Sequence, residues 1–335
     1  MAYKIVMVDD ILPITDVERK VLGQLDMTLE QHNCLTPNDA ERLERLERVA
    51  GDADAVMTVG AKLDREAFAR LKNCKVIGRY GGGIDNIDLE AATENGVVVT
   101  YVPVYCQEEV AALAVTLMLA CERRLIQADK VVKSGDWKGS IKACAGARSH
   151  RGKTLGIVGF GAIGRTLVPL VRPFGIEVIA YDPYINLEHC KELGVRAVEL
   201  QEIIETSDYI SLHVPLTPQT RHMFGDKQFD QMKNDAILIN TGRGAVVDQK
   251  ALYTALKEGK IAAAGIDVLE AEPPNPEDPI FTLENVITSG HIAAATNESI
   301  ERLRTLVSQG VVDVLSGKWP GVIANPKIKE KLTLQ

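Results

Sequence analysis

Three residue types suited to proton transfer and anion binding recur at matching places in the second half of the chain. Arg243 follows the apolar run Ile237–Asn240 in NTGRGAVVD, Glu272 follows Ala262–Val268 in DVLEAEPP, and His291 follows Val286–Thr288 in SGHIAAAT. An imidazole gives or takes a proton near neutral pH, as hydride transfer to or from a carbonyl requires. A carboxylate beside it, such as Glu272, favours the charged imidazolium. The planar fork of Arg243 suits a carboxylate and brings positive charge near a carbonyl oxygen. Singly, each has a plainer reading: a structural histidine, an ion-pair arginine, a loop glutamate. Jointly they stand at the carboxyl ends of strands, where open α/β sheets hold their ligands. No metal-binding spacing such as HExxH occurs, so no metal is expected.

The partner for such a set is spelled out earlier, in TLGIVGFGAIGRTLVPLVRPFGIEVIAYDP from Thr154 to Pro183. An apolar run leads into Gly159, Gly161 and Gly164, a helix-length segment follows, and a second apolar run ends at Asp182. Gly159 permits a tight turn, Gly161 lets backbone approach a pyrophosphate, and Gly164 lets helix and strand pack closely. N–H groups at the helix start face the phosphates. Asp182 lies 18 residues after Gly164, a spacing that suits a carboxylate accepting ribose hydroxyls. It would repel a 2′-phosphate, and no arginine follows in Pro183-Tyr184-Ile185, so the cofactor reads as NAD. Pro169, inside the helix, predicts a kink near Leu167.

These residues need a scaffold of strands alternating with helices. Strands are expected at Lys4–Val8, Ala55–Val59, Val76–Ile77 and Val97–Thr100, then near Ala197–Val198, Tyr209–Val214, Ile237–Asn240, Ala262–Val268 and Val286–Thr288. Helices are expected over Asp16–Leu25, Pro37–Val49, Asp64–Leu71, Leu89–Glu94, Leu200–Glu205, Asp226–Gln231, Gln249–Glu258 and Glu298–Leu315. An apolar helix from Glu108 to Arg123 is expected to run between domains. Ser134–Gly139 reads as a loop whose Trp137 packs against something, a second subunit among the candidates. His213 and His222 read as structural.

The fold class is therefore α/β, with parallel sheets covered on both faces. Length of 335 residues suits two domains, and 46% apolar residues suit real cores. A net charge of −8 argues against nucleic acid or a membrane surface as partner. Six cysteines without CxxC pairing suit thiols in a reducing cytoplasm. The N-terminal MAYKIVMVDD enters a strand at once and does not read as a signal peptide, and no uncharged run reaches a membrane span.

RGKTLGIVGFGAIGR, YDPY, INTGRGAVVD, GIDVLEAEPP and GHIAAAT closely resemble the NAD-dependent D-2-hydroxyacid dehydrogenases, and RYGGGIDNIDLEAAT resembles the substrate loop of their phosphoglycerate-dehydrogenase branch. The likeness runs from about Lys4 to Pro326. It implies two doubly wound domains, a Rossmann NAD-binding domain (105–298) inserted in a flavodoxin-like substrate domain (1–104 with 299–335). It implies reversible oxidation of a D-2-hydroxy acid to a 2-keto acid in a cytoplasmic homodimer. Arg243 would bind the substrate, His291 would be the acid/base, and Glu272 would orient and charge it. Gly81, Gly82 and Gly83 would hold the substrate carboxylate. Ala162 and Ile163 would donate N–H to the pyrophosphate, Pro215 would lie by the adenine, and Thr241 and Asp267 near the nicotinamide. By the same likeness Arg79 would read a second anionic group, although pairing with Asp85 or Asp88 is the plainer reading; Tyr80, Tyr101 and Tyr105 would line the cleft or simply pack. Serine feedback is not expected, because no regulatory domain follows the last helix. CQEEVA, Arg79 and YDPY also resemble the C-terminal-binding-protein corepressors, so an NAD-sensing binding protein is the alternative. Ala294 stands where those proteins carry a tryptophan, which weakens it.

Overall fold

The structure, a computed structural model, describes residues 2–335. The chain forms two compact units, one running as far as Tyr105 and resuming at Thr296–Gln335, the other comprising Cys106–Ala295.

The first unit is built on β1 (Tyr3–Met7), β2 (Met27–Gln31), β3 (Ala55–Thr58), β4 (Val76–Arg79) and β5 (Val98–Tyr101). They form one parallel sheet in the order β2-β1-β3-β4-β5. β3 is buried along its whole length, as expected for a strand with helices on both faces. β2, at the edge, alternates half-buried and exposed residues. Helices start where side chains satisfy free N–H groups: Thr15 caps Asp16–Leu22 and Asn38 caps Asp39–Ala50. The helix Asn297–Leu315, capped by Thr296, lays Leu303, Val307 and Val311 into the core with Ile5, Met57, Val76 and Tyr80. Tyr80 is only 1% exposed, so of the two readings for it, cleft lining or packing, it takes packing. Its hydroxyl donates to Glu18, which also accepts from Arg304.

The second unit carries β6 (Thr154–Val158), β7 (Glu177–Tyr181), β8 (Arg196–Ala197), β9 (Tyr209–Leu212), β10 (Ile237–Asn240), β11 (Ala263–Ile266) and β12 (Val286–Thr288). Their order is β12-β11-β10-β9-β6-β7-β8, parallel throughout. Strand order reverses between β6 and β9, which makes their carboxyl ends the switch point where such sheets bind ligands. The helix Gln107–Glu122 belongs to this unit and buries Ala111, Ala114, Leu117 and Met118 against its core, rather than running between units as its sequence suggests. A helix this apolar is needed because sheet and neighbouring helix enclose it on several sides. The helix Ala162–Val171 continues through Pro169. Two helices, Leu125–Lys133 and Gly139–Ala143, flank the tryptophan loop and have no counterpart in the sequence reading. Trp137 and Ile141 there are 77% and 83% exposed. Among the described residues no helix is long and apolar enough to cross a membrane, and no His, Cys, Asp and Glu cluster could hold a metal.

Candidate active site

Each expected catalytic residue of the second unit lies in a loop just beyond a strand. Arg243 stands three residues after β10, and its backbone is held by Asn240, whose Nδ2 donates to the Arg243 carbonyl at 3.0 Å. The Arg243 guanidinium donates to the Gly242 carbonyl at 2.9 Å. Glu272 and His291 meet directly, His291 Nδ1 lying 2.7 Å from Glu272 Oε2. The other carboxylate oxygen, Oε1, accepts the Leu269 N–H at 3.0 Å. Partial burial pulls Glu272 upward, yet the hydrogen bond and charge of His291, the Leu269 N–H and the Arg243 charge together hold its carboxyl below the ordinary value. Glu272 is therefore ionised at neutral pH, and the imidazole nitrogen left for proton transfer is Nε2.

His291 has φ +61°, a left-handed conformation uncommon outside glycine. Asp267 holds it there. The Asp267 carbonyl accepts the His291 N–H. Its carboxylate, 2% exposed, accepts from Ser289 Oγ at 2.6 Å, Ile292 N at 2.9 Å and Ala293 N at 2.8 Å. Sequence reasoning placed Asp267 beside a nicotinamide and passed over this clasp, because Ser289 and the two amides carry no recognisable spacing.

The glycine turn lies at the end of β6. Gly159 has φ +97°, and a Cβ on Gly164 would stand 2.4 Å from the Gly159 carbonyl, so strand end and helix start touch through backbone alone. Around Gly161 there is open space, with no atom within 4 Å of an added Cβ. Ala162 and Ile163 form the first turn of the helix that follows. Asp182 accepts the Phe160 N–H and the Tyr184 N–H, each at 2.9 Å, and each oxygen keeps a lone pair for a ribose hydroxyl. Thr241 is buried, and its hydroxyl has no partner. Pro215 is exposed beyond β9. An open phosphate cradle, a carboxylate at the second strand end and an orphaned buried hydroxyl fit a dinucleotide. His213, at the end of β9, meets Ser211 Oγ at 2.8 Å, and burial pushes its pKa down to about 4.

In the first unit, Gly81 opens the expected substrate loop with φ +116°. Arg79, at the end of β4, folds its guanidinium back to donate to the Tyr80 carbonyl.

Comparison with known proteins agrees with this geometry. Residues 115–293 match the family described as D-isomer specific 2-hydroxyacid dehydrogenase, NAD binding domain. The chain belongs to that family. It is 44% identical over 293 residues to D-3-phosphoglycerate dehydrogenase of Methanocaldococcus jannaschii, an alignment covering 86% of this chain and 55% of that protein. The chain thus spans about half the length of that relative. With glyoxylate reductase of Korarchaeum cryptofilum it shares 41% identity over 285 residues, 84% of this chain and 86% of that one. Among solved structures, D-lactate dehydrogenase from Aquifex aeolicus complexed with NAD and lactic acid superposes with a TM-score of 0.84 at 28% identity, covering 96% and 99% of the two chains. The matched family model is described as an NAD binding domain, and the Aquifex aeolicus structure is a complex with NAD, in line with the Asp182 reading. These relatives are all named as enzymes, which supports the dehydrogenase reading and not the corepressor alternative.

Proposed function

We propose that this chain interconverts a D-2-hydroxy acid and a 2-keto acid with NAD(H), with His291, Glu272 and Arg243 as its working set. The observation that carries the reading is the His291–Glu272 contact of 2.7 Å at the carboxyl end of the same sheet that bears the glycine turn. Gly159, Gly161, Ala162, Ile163, Gly164, Asp182, Pro215 and Thr241 would hold the cofactor, and Asp267, its carboxylate taken up by Ser289, Ile292 and Ala293, would act through the His291 loop. When bound, NADH would supply a hydride for C2 of the keto acid. Arg243 grips the substrate carboxylate and carbonyl oxygen and stabilises the charge growing on that oxygen. His291, held by Glu272, delivers its Nε2 proton to the same oxygen, and takes it back in the oxidative direction. Gly81, Gly82 and Gly83, in the first unit, are the residues that the family likeness assigns to the substrate carboxylate.

Arg79 is proposed to choose the substrate. A cation at the start of the glycine loop favours a keto acid with a second anionic group, as in phosphohydroxypyruvate, over glyoxylate. A panel of 2-keto acids with NADH, read as kcat/KM with chiral analysis of the product, tests both statements. No turnover, or an L-product, sinks the dehydrogenase reading; equal rates for phosphorylated and plain acids sink the Arg79 assignment.

A homodimer is proposed through the exposed apolar face around Trp137 and Ile141, a composition better suited to contact than to water. Sedimentation equilibrium should give twice the 36.5 kDa chain mass. A reducing, cytoplasmic setting fits six cysteines none of which is joined in a disulfide.

A further inference from the structure

A second imidazole–carboxylate contact lies beside the one that carries the chemistry. His222 Nε2 stands 2.6 Å from Glu270 Oε1. Each partner is tied to a different loop of the site. The His222 N–H donates to the Ala245 carbonyl at 2.8 Å, and Phe224 N donates to Val246 at 3.1 Å, so this segment runs along the loop that begins at Arg243. Glu270 belongs to the loop of Glu272, two residues away. Gln249 clamps Glu270 from the other side: its Oε1 accepts the Glu270 N–H at 3.0 Å, and its own N–H donates to Glu270 Oε2 at 3.3 Å. The two loops also touch through backbone, since a Cβ on Gly244 would fall 1.9 Å from the Leu269 carbonyl.

His222 carries a further mark. Its φ is +52°, a conformation that costs a non-glycine residue energy and persists only where surrounding contacts enforce it. Glycine, asparagine or aspartate would sit there more easily, yet none of them reaches Glu270 with a ring nitrogen.

We propose that His222 and Glu270 form a positioning bracket, which fixes the Arg243 loop against the Glu272 loop and so sets the guanidinium against the acid–base pair. Neither residue touches substrate or cofactor in this assignment, which rests on the dehydrogenase reading above. The bracket acts by geometry. A displacement of about an ångström between a substrate anchor and a proton donor can cost on the order of a hundredfold in rate. A part-exposed imidazole–carboxylate contact contributes little to global stability, so a purely structural role would leave the rate alone.

The test uses His222→Ala, Glu270→Gln and the double variant in the full chain, with His222→Gln as the conservative replacement. Each single variant should lower kcat/KM for the preferred keto acid about tenfold, through a raised KM as well as a lowered kcat, with NADH affinity by fluorescence titration unchanged. The double variant should lose less than the two single losses combined, because both act on the shared His222–Glu270 contact, while Glu270 also accepts from Gln249 and faces Arg221. The glutamine, which keeps an N–H for Glu270, should recover part of the loss. Hydrogen exchange should speed up in peptides spanning 241–247 and 268–273 in both single variants. Unchanged kcat/KM in the single variants, additive losses in the double, or unaltered exchange in those two peptides would overturn the bracket. Should the wild-type chain turn over no keto acid, the dehydrogenase reading falls, and the exchange measurement alone still decides whether His222 and Glu270 hold the two loops together.

Discussion

Asp267→Asn is the sharpest probe of how the catalytic histidine is held. The carboxylate accepts from Ser289 and Ile292 on Oδ1 and from Ala293 on Oδ2. Asparagine has one acceptor oxygen, so its NH2 must replace one of these. With the oxygen kept on the Oδ1 side, the amide faces the Ala293 N–H, donor against donor. Flipped, it faces the Ile292 N–H; only the Ser289 hydroxyl can rotate to adapt. Either way one charge-assisted bond is lost and one buried N–H is left unsatisfied, together worth about 3–5 kcal/mol. Where the penalty falls is the informative part. If it is borne by the whole unit, the thermal midpoint drops by roughly 6–20 °C. If the loop detaches instead, the midpoint holds, His291 leaves φ +61° and its contact with Glu272, and kcat falls by about a hundredfold or more. Calorimetry with steady-state kinetics on one preparation separates the two. A variant with both midpoint and kcat at wild-type values would refute the view that Asp267 clasps the loop.

Gly164→Ala should abolish NADH binding and weaken the second unit, because the new methyl carbon would stand 2.4 Å from the Gly159 carbonyl and backbone there cannot yield cheaply; near wild-type affinity in a fluorescence titration would contradict this. Glu18→Gln should destabilise the first unit by about 3–5 kcal/mol, since it leaves the Arg304 charge, 6% exposed, without its counter-ion; the denaturant midpoint is the measurement. Burial works to raise Glu18, but hydrogen bonds from Thr15 and the Arg304 charge win and hold it low, so the stability this pair adds is complete above the ordinary glutamate range and is lost only as pH falls through the lowered folded-state value. Glu272 has the same sign. Protonating it breaks the His291 contact, so catalysis should persist as pH falls below the ordinary glutamate range and fail only beneath it; a rate that already declines by carboxylate protonation near the free-glutamate value would contradict the pairing.

What the sequence made legible was whatever local pattern alone dictates. Buried parallel strands read as short apolar runs, and β9, β10 and β11 fall where such runs predict. The edge strand β2 escaped because MTLEQ alternates polar and apolar residues and faces water on one side. The helices Leu125–Lys133 and Gly139–Ala143 escaped for a related reason. Neither buries a single residue: the first leaves its apolar side chains partly exposed beside the polar tryptophan loop, and the second, five residues long, is too short for a helical period to register. Their base is fixed from a distance. Arg148 reaches Glu122 at 3.3 Å and Asp235 on its other side, and Tyr209 donates to the same Glu122 at 2.7 Å. Such a contact links residues that no sequence window joins.

The site divides along the same line. Arg243, Glu272, His291 and the glycine turn could be found because residue type and strand-end position carry their chemistry. The groups that hold them could not, since a clasp such as Asp267–Ser289 or a bracket such as His222–Glu270 joins loops from different strands. Asp182 shows that one residue can belong to both groups. Its position after β7 announces a ribose acceptor, yet its Oδ2 also accepts the Phe160 N–H inside the glycine turn. The carboxylate that would select NAD thus also shapes the cradle for the phosphates. Replacing it to admit a 2′-phosphate removes a hydrogen bond from that cradle, so Asp182→Ala should weaken NADH binding more than it improves NADPH binding. The ratio of the two dissociation constants, measured against wild type, decides this: a gain for NADPH larger than the loss for NADH would mean that Asp182 discriminates by charge alone and that the Phe160 contact carries no weight.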